Sequence, residues 1–209
     1  MRDRVAIRHD VAGDLRFISH HDTLRLWERA LARAAIPVKF SEGFNPRPRM
    51  SLVLPRSVGI ASSDELLVIE LGEPIDLEEM RARLGEQMPA GMAITRIERV
   101  EAGDRRLPIA AEYEVNIDAG ADVALAARAT AILTATTVFV DRATPGMAVR
   151  HIDVRPYITA ITVEPERLRW TQSITATGTV RPNEMLELLG LAVDDHLHRL
   201  RRSAVTYGR

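Results

Sequence analysis

Cysteine is absent from all 209 residues. That excludes disulfides, thiolate metal centres, cysteine nucleophiles and any cysteine-ligated iron–sulfur cluster. It also accords with a reducing compartment. Aromatic residues make up 4% of the chain against 46% hydrophobic, so an aliphatic core of Leu, Ile, Val and Ala is expected. Lysine is nearly missing too: Lys39 is the single example among mostly arginine bases. No apolar run approaches the roughly 20 residues needed to cross a bilayer. The opening Met1-Arg2-Asp3-Arg4 leads into an alternating segment, without the apolar centre of a signal peptide. The expected location is the cytoplasm, with no membrane partner. The formal net charge of -1 argues against a protein that coats nucleic acid, while leaving room for a local basic patch. Phosphate-binding glycine loops, the dinucleotide fingerprint, the Gly-x-Ser-x-Gly elbow and the C-x-x-x-C-x-x-C cluster motif are all missing. No cofactor is expected.

The elements that are present fall into two series. Val5 to His9 alternates apolar and polar, as a half-buried strand does. Ser19, with Asp22 three residues on, has the spacing of a capping box and opens a helix. Leu24, Trp27, Leu31 and Ala34 mark its buried face. Pro37 ends it near Ala35. Val38 to Phe40 reads as a short strand, followed by a loop over 41–49 and strands from Met50 to Leu54 and Glu65 to Leu71. Asp76 caps a helix running to about Met88, and Ala93 to Val100 forms a further strand. The order strand, helix, strand, strand, helix, strand is that of a split βαβ, ferredoxin-like domain. Glu101 to Pro108 reads as a linker. Beyond it come a strand at Ala111–Ile117 and a helix after Asp122. Strands follow at Thr137–Asp141, Val149–Val154, Ile158–Val163 and Leu168–Thr175, with a turn at Pro145-Gly146. Pro182 opens a helix that Gly190 ends, and Leu197 to Tyr207 reads as a last strand. The expectation is an α+β chain of two tandem ferredoxin-like domains, 1–103 and 109–209, the second with extra strands.

The chemistry-bearing residues gather in the first series. His20 and His21 stand at a helix start and are the candidates for proton transfer. They lack the companion spacing of a metal site, so no metal is expected. His196 and His198 alternate, which would place both on one side of a strand. Arg25, Arg29 and Arg33 recur every four residues, opposite the apolar face. Next comes Gly43-Phe44-Asn45-Pro46-Arg47-Pro48-Arg49, stiffened by two prolines. Arg47, Arg49 and Arg56 would join the helix arginines if the loop folds beside them, making a surface for phosphate or carboxylate. Phe44 and Asn45 would meet the same ligand, Phe44 by stacking. Arg155-Pro156 and Arg181-Pro182 set arginines before an element start, where anions are favoured.

The string Phe17-Ile18-Ser19-His20-His21-Asp22, then Glu28-Arg29-Ala30-Leu31, then Ser41-Glu42-Gly43-Phe44-Asn45-Pro46-Arg47-Pro48, resembles the signature of the radical-SAM-linked protein family, also known by the domain label DUF2344. Leu54-Pro55, Gly59 and Glu65 continue it, and Asp153-Val154-Arg155-Pro156 is similar to a later landmark. The resemblance is strong over the first seventy or so residues. It implies an accessory protein that works beside a cobalamin-binding radical SAM protein, in some members near ribonuclease E/G. It implies no established reaction. Three functions remain open: an adaptor presenting RNA, such as tRNA, to such a partner; a metal-independent endoribonuclease using His20 or His21; and a purely protein–protein interaction module. On its own the chain is expected to be a subunit and not an enzyme.

Overall fold

The computed structural model describes residues 3–101, 103–120, 122–143, 146 and 148–208, with Asp122 described in its backbone alone. It is an α+β structure. The chain divides into two compact units, Met1–Pro108 with Tyr207–Arg209, and Ile109–Thr206.

The first unit runs β1 (Arg4–Val11), α1 (His20–Arg33), β2 (Met50–Leu52), β3 (Ala61–Glu70), α2 (Leu77–Gly85) and β4 (Ile94–Arg99). β1 lies between β4 and β3, β2 adds to β3, and each of these pairs is antiparallel. Val5 faces Ile69 and Ile7 faces Leu67 across the ladder. Those four side chains share a core with Trp27 and Leu31 of α1 and with Met80 and Leu84 of α2. A fully buried aliphatic side chain of this size contributes about 2 kcal/mol, so this one face accounts for much of the unit's stability. The other face holds Ala6, Leu66, Val68 and Val100, with Val53 and Tyr207 packed against them. β1 is therefore covered on both faces, and the half-buried alternation read over Val5 to His9 holds only in part.

Both helices begin where their caps require. The Ser19 hydroxyl accepts from the Asp22 amide at 3.2 Å and donates to the Asp22 carboxylate at 2.7 Å. Asp76 accepts from the amides of Glu78 and Glu79, each at 3.0 Å. Each such cap contributes about 1 kcal/mol. α1 stops at Arg33 because Ala35 turns left-handed at φ 49° ahead of Pro37. α2 is shorter than the pattern suggested: after Gly85 the chain tightens into turns closed by Gln87 N–H to Leu84 O and Met88 N–H to Gly85 O. Val38 to Phe40 is not a strand. It makes two isolated bridges, Val38 to Leu71 and Phe40 to Pro48, because its amide partners are divided between β3 and its own loop.

Residues 103–108 are tied down. Arg106 pairs with Glu98 and Asp104, each at 2.7 Å, and Arg4 donates to the Asp104 carbonyl at 3.0 Å. The second unit takes up the chain within β5 (Leu107–Asn116), continues with α3 (Asp122–Thr134), the hairpin β6 (Phe139–Arg142) and β7 (Arg150–Asp153), then β8 (Ile158–Glu164), β9 (Arg167–Ser173), α4 (Pro182–Leu188) and α5 (Val193–His196), and ends within β10 (Leu200–Gly208). The sheet order is β10-β5-β9-β8, with β6 and β7 forming a separate pair. Tyr113 stacks on Trp170 at 5.3 Å within it. The turn expected at Pro145-Gly146 includes a residue outside the described set. The last strand is shorter than expected, since Val193–His196 is helical and Leu197–Arg199 is a 3-10 turn. His196 and His198 therefore do not share one side of a strand. The acidic pair Asp194-Asp195 in the first turn suits a helix start, a signal hidden by the alternation that follows.

Candidate nucleic-acid interface

The site is built on α1 and the loop after it. Capping fixes the rotation of α1, and burial of Trp27, Ala30 and Leu31 turns Arg25, Arg29 and Arg33 to solvent. The loop is held at its neck. Ser41 N–H donates to Arg47 O at 2.8 Å, and Arg47 N–H donates to the Ser41 hydroxyl at 3.0 Å. Arg49 N–H closes onto Lys39 O at 2.7 Å. Gly43 takes φ 119°, a conformation side-chain-bearing residues rarely adopt. The result presents Phe44 at the tip with its side chain fully exposed, at 105% relative accessibility.

Loop and helix enclose a groove of about 340 Å³ lined by His21, Leu24, Arg25, Glu28, Arg47 and the prolines 46 and 48. Arg25 and Arg47 thus line one groove. Arg25 makes a long, exposed contact with Asp22 at 3.4 Å. The carboxyl of Asp22 is held below its usual range, first by the Ser19 hydroxyl and then by Arg25. The guanidinium of Arg47 has no partner among the described residues.

The other arginines have different fates. Arg29 and Arg33 are exposed on α1 but do not line the groove. Arg49 turns to Glu70 at 3.4 Å, which also meets Lys39 at 3.2 Å. Burial would raise the Glu70 carboxyl, but the two cations hold it below its ordinary value. Arg49 instead borders a second hollow of about 470 Å³ with Arg4, Arg105, Met50 and Val68. Arg56 bonds the carbonyls of Leu15, Arg16 and Ile60 and serves the backbone. Arg155 likewise brackets the carbonyls of Leu133, Ala135 and Ile158. Arg181 gives its amide to Glu184, which Arg142 grips with two bonds of 2.7 and 2.8 Å. Asn45 is exposed beside Phe44.

The two histidines part company. His21 is exposed and borders the groove, while His20 faces a small cavity with Thr23, Arg56 and Glu65. Their rings are 5.7 Å apart. Among the described residues no group of three His, Asp or Glu side chains stands together to hold a metal, and no helix is long and apolar enough to cross a membrane.

Sequence reading missed Glu28, which faces the same groove; its i+3 distance from Arg25 and i+7 distance from His21 would have placed it there. It also missed that all four phenylalanines, Phe17, Phe40, Phe44 and Phe139, lie at least half exposed. Composition alone carries no sign of that. A search of curated proteins finds no significant match. A family model does match, over residues 4–182, from the start of β1 to the first residue of α4. The residues that resembled its signature are those that cap α1 and shape the loop, and the chain belongs to that family, described as an uncharacterized protein conserved in bacteria, DUF2344.

Proposed function

We propose that this chain is a cytoplasmic accessory protein that binds RNA along the groove between α1 and the 41–49 loop, and that it serves a radical SAM partner. The observation that carries the reading is that Arg25 and Arg47, from two firmly held elements, line one groove, and that the loop bearing Arg47 also exposes Phe44. Arginine forks suit phosphate, and a bare aromatic ring suits an unstacked base. A loop whose neck is fixed by hydrogen bonds loses little entropy when it docks a ligand. Both units are proposed to be ferredoxin-like. The antiparallel order β4-β1-β3 with β2 on β3, and the order β10-β5-β9-β8 with an inserted hairpin, support that assignment.

The test is binding of a fluorescent single-stranded RNA across a salt series, for the wild type and for the double variant Arg25→Ala with Arg47→Ala. Each phosphate contact contributes about 0.7 to the slope of log affinity on log salt for a single strand. The double variant should therefore bind more weakly and show a slope lower by about 1.4. Phe44→Ala should weaken binding with the slope unchanged. Absence of binding by the wild type at low salt would overturn the reading.

A further inference from the structure

Glu28 is the group in the groove that phosphate binding does not explain. It lies three residues after Arg25 and seven after His21, so the three line one stripe of α1. Its side chain is half-buried, and its carboxylate has no hydrogen bond or ion pair among the described residues, although two guanidinium groups line the same groove. A surface meant only to neutralise a polyanion would be weakened by a carboxylate beside its arginines. The carboxylate becomes useful when the ligand offers it a hydrogen. The ligand must then carry an acceptor anion for Arg25 and Arg47 and a donor within reach of Glu28.

A ribonucleotide has this arrangement. Its 2′-hydroxyl is a donor close to its phosphate, and DNA lacks it. An acidic side chain that takes a ribose hydroxyl while the phosphates are held elsewhere is an established solution in nucleotide sites. The volume of about 340 Å³ falls at the small end of ligand pockets, which span roughly 300 to 1,000 Å³, and accommodates one nucleotide unit. Leu24, Pro46 and Pro48 supply apolar walls against which a sugar ring packs. We propose that Glu28 accepts a hydrogen bond from the 2′-hydroxyl of a nucleotide whose phosphate lies between Arg25 and Arg47, so that the groove selects RNA over DNA. This rests on the RNA-binding reading above and adds the sugar as the recognised feature.

The experiment compares three single-stranded oligonucleotides of one sequence, as RNA, as DNA and as 2′-O-methyl RNA, on the full chain. The wild type should favour RNA over the other two by about tenfold, the size of one hydrogen bond to a charged group. Glu28→Ala should bring the three affinities together, with DNA binding unchanged or tightened because a like charge is gone. Glu28→Gln, which retains an acceptor without the charge, should keep part of the preference and guards against a folding defect in the alanine variant. Equal binding of RNA and DNA by the wild type overturns the proposal, as does a preference that survives in Glu28→Ala. If RNA still binds and still depends on Arg25 and Arg47, only the sugar recognition falls. If the wild type binds no oligonucleotide at low salt, both readings fall.

Discussion

His9 sits on β1 with no exposed surface, its ring edge-on to Trp27 at 4.9 Å. Burial disfavours the charged imidazolium and outweighs the pull of Glu65, its cross-strand neighbour, so the pKa falls to about 4. In the unfolded chain it returns to 6.5. Between those values the unfolded state binds the proton and the folded state does not, so stability drops as pH falls. The contribution is complete above pH 6.5 and is lost as pH descends through 4; at 1.36 kcal/mol per unit the loss amounts to about 3 kcal/mol. Urea unfolding at pH 7, 5.5 and 4 should show this decline, and His9→Phe should flatten that part of it. A wild-type stability unchanged from pH 7 to 4 would contradict a neutral buried ring. Arginines differ residue by residue as well. Arg47→Ala should alter stability by less than about 0.5 kcal/mol, as an exposed side chain without partners does. Arg56→Ala should cost about 2 kcal/mol, because its guanidinium bonds to the carbonyls of Leu15, Arg16 and Ile60 are lost together. Chemical denaturation of the two variants tests the contrast. Nothing in the sequence separates these arginines, since the acceptors that claim Arg49 and Arg56 come from Glu70 and from residues 15, 16 and 60.

At the scale of the element, α1 and its loop were the most legible part of the chain. Ser19, Asp22, Pro37 and the apolar spacing are local signals, and local signals survive into the fold. Arg25 and Arg47 line one groove because few residues separate helix and loop. Val38–Phe40 and the start of β10 were less legible, since strand pairing depends on distant partners. The same applies to Gly91, whose role appears only in three dimensions. It adopts φ 89°, and a Cβ there would come within 2.6 Å of the Ala12 carbonyl oxygen. The Gly91 carbonyl also receives the Ala12 amide at 2.7 Å, so the turn into β4 and the end of β1 are clamped backbone to backbone. Gly91→Ala combines a disfavoured conformation with a backbone clash and should cost more than about 2 kcal/mol. A thermal melt shifted by only a degree would show that the turn can relax.

On the scale of the whole molecule, element order carried the α+β class, because two helices covering one face of an antiparallel sheet follow from hydrophobic patterning alone. The return of the chain's end was not legible: Tyr207 belongs with the first unit, since a tyrosine in an alternating strand gives no sign of which core it joins. It packs on Ala6, Leu66, Val68 and Val100, and its ring lies 5.0 Å below the Arg8 guanidinium. Arg8 is in turn paired with Asp64. The larger core of the first unit draws every member from residues 5–97, so a fragment of residues 1–108 has what it needs to fold. It would lack the cover that Tyr207 gives to Leu66 and Val68. The expected outcome is a cooperative melt with α+β circular dichroism, at a lower temperature than the corresponding transition of the full chain. Tyr207→Ala in the full chain should lower that same transition, by about 1–2 kcal/mol for a half-buried aromatic ring. A fragment that melts without cooperativity would mean that the first unit depends on more of the chain than Tyr207. A fragment as stable as the full-chain transition would mean that the tyrosine covers this face without stabilising it.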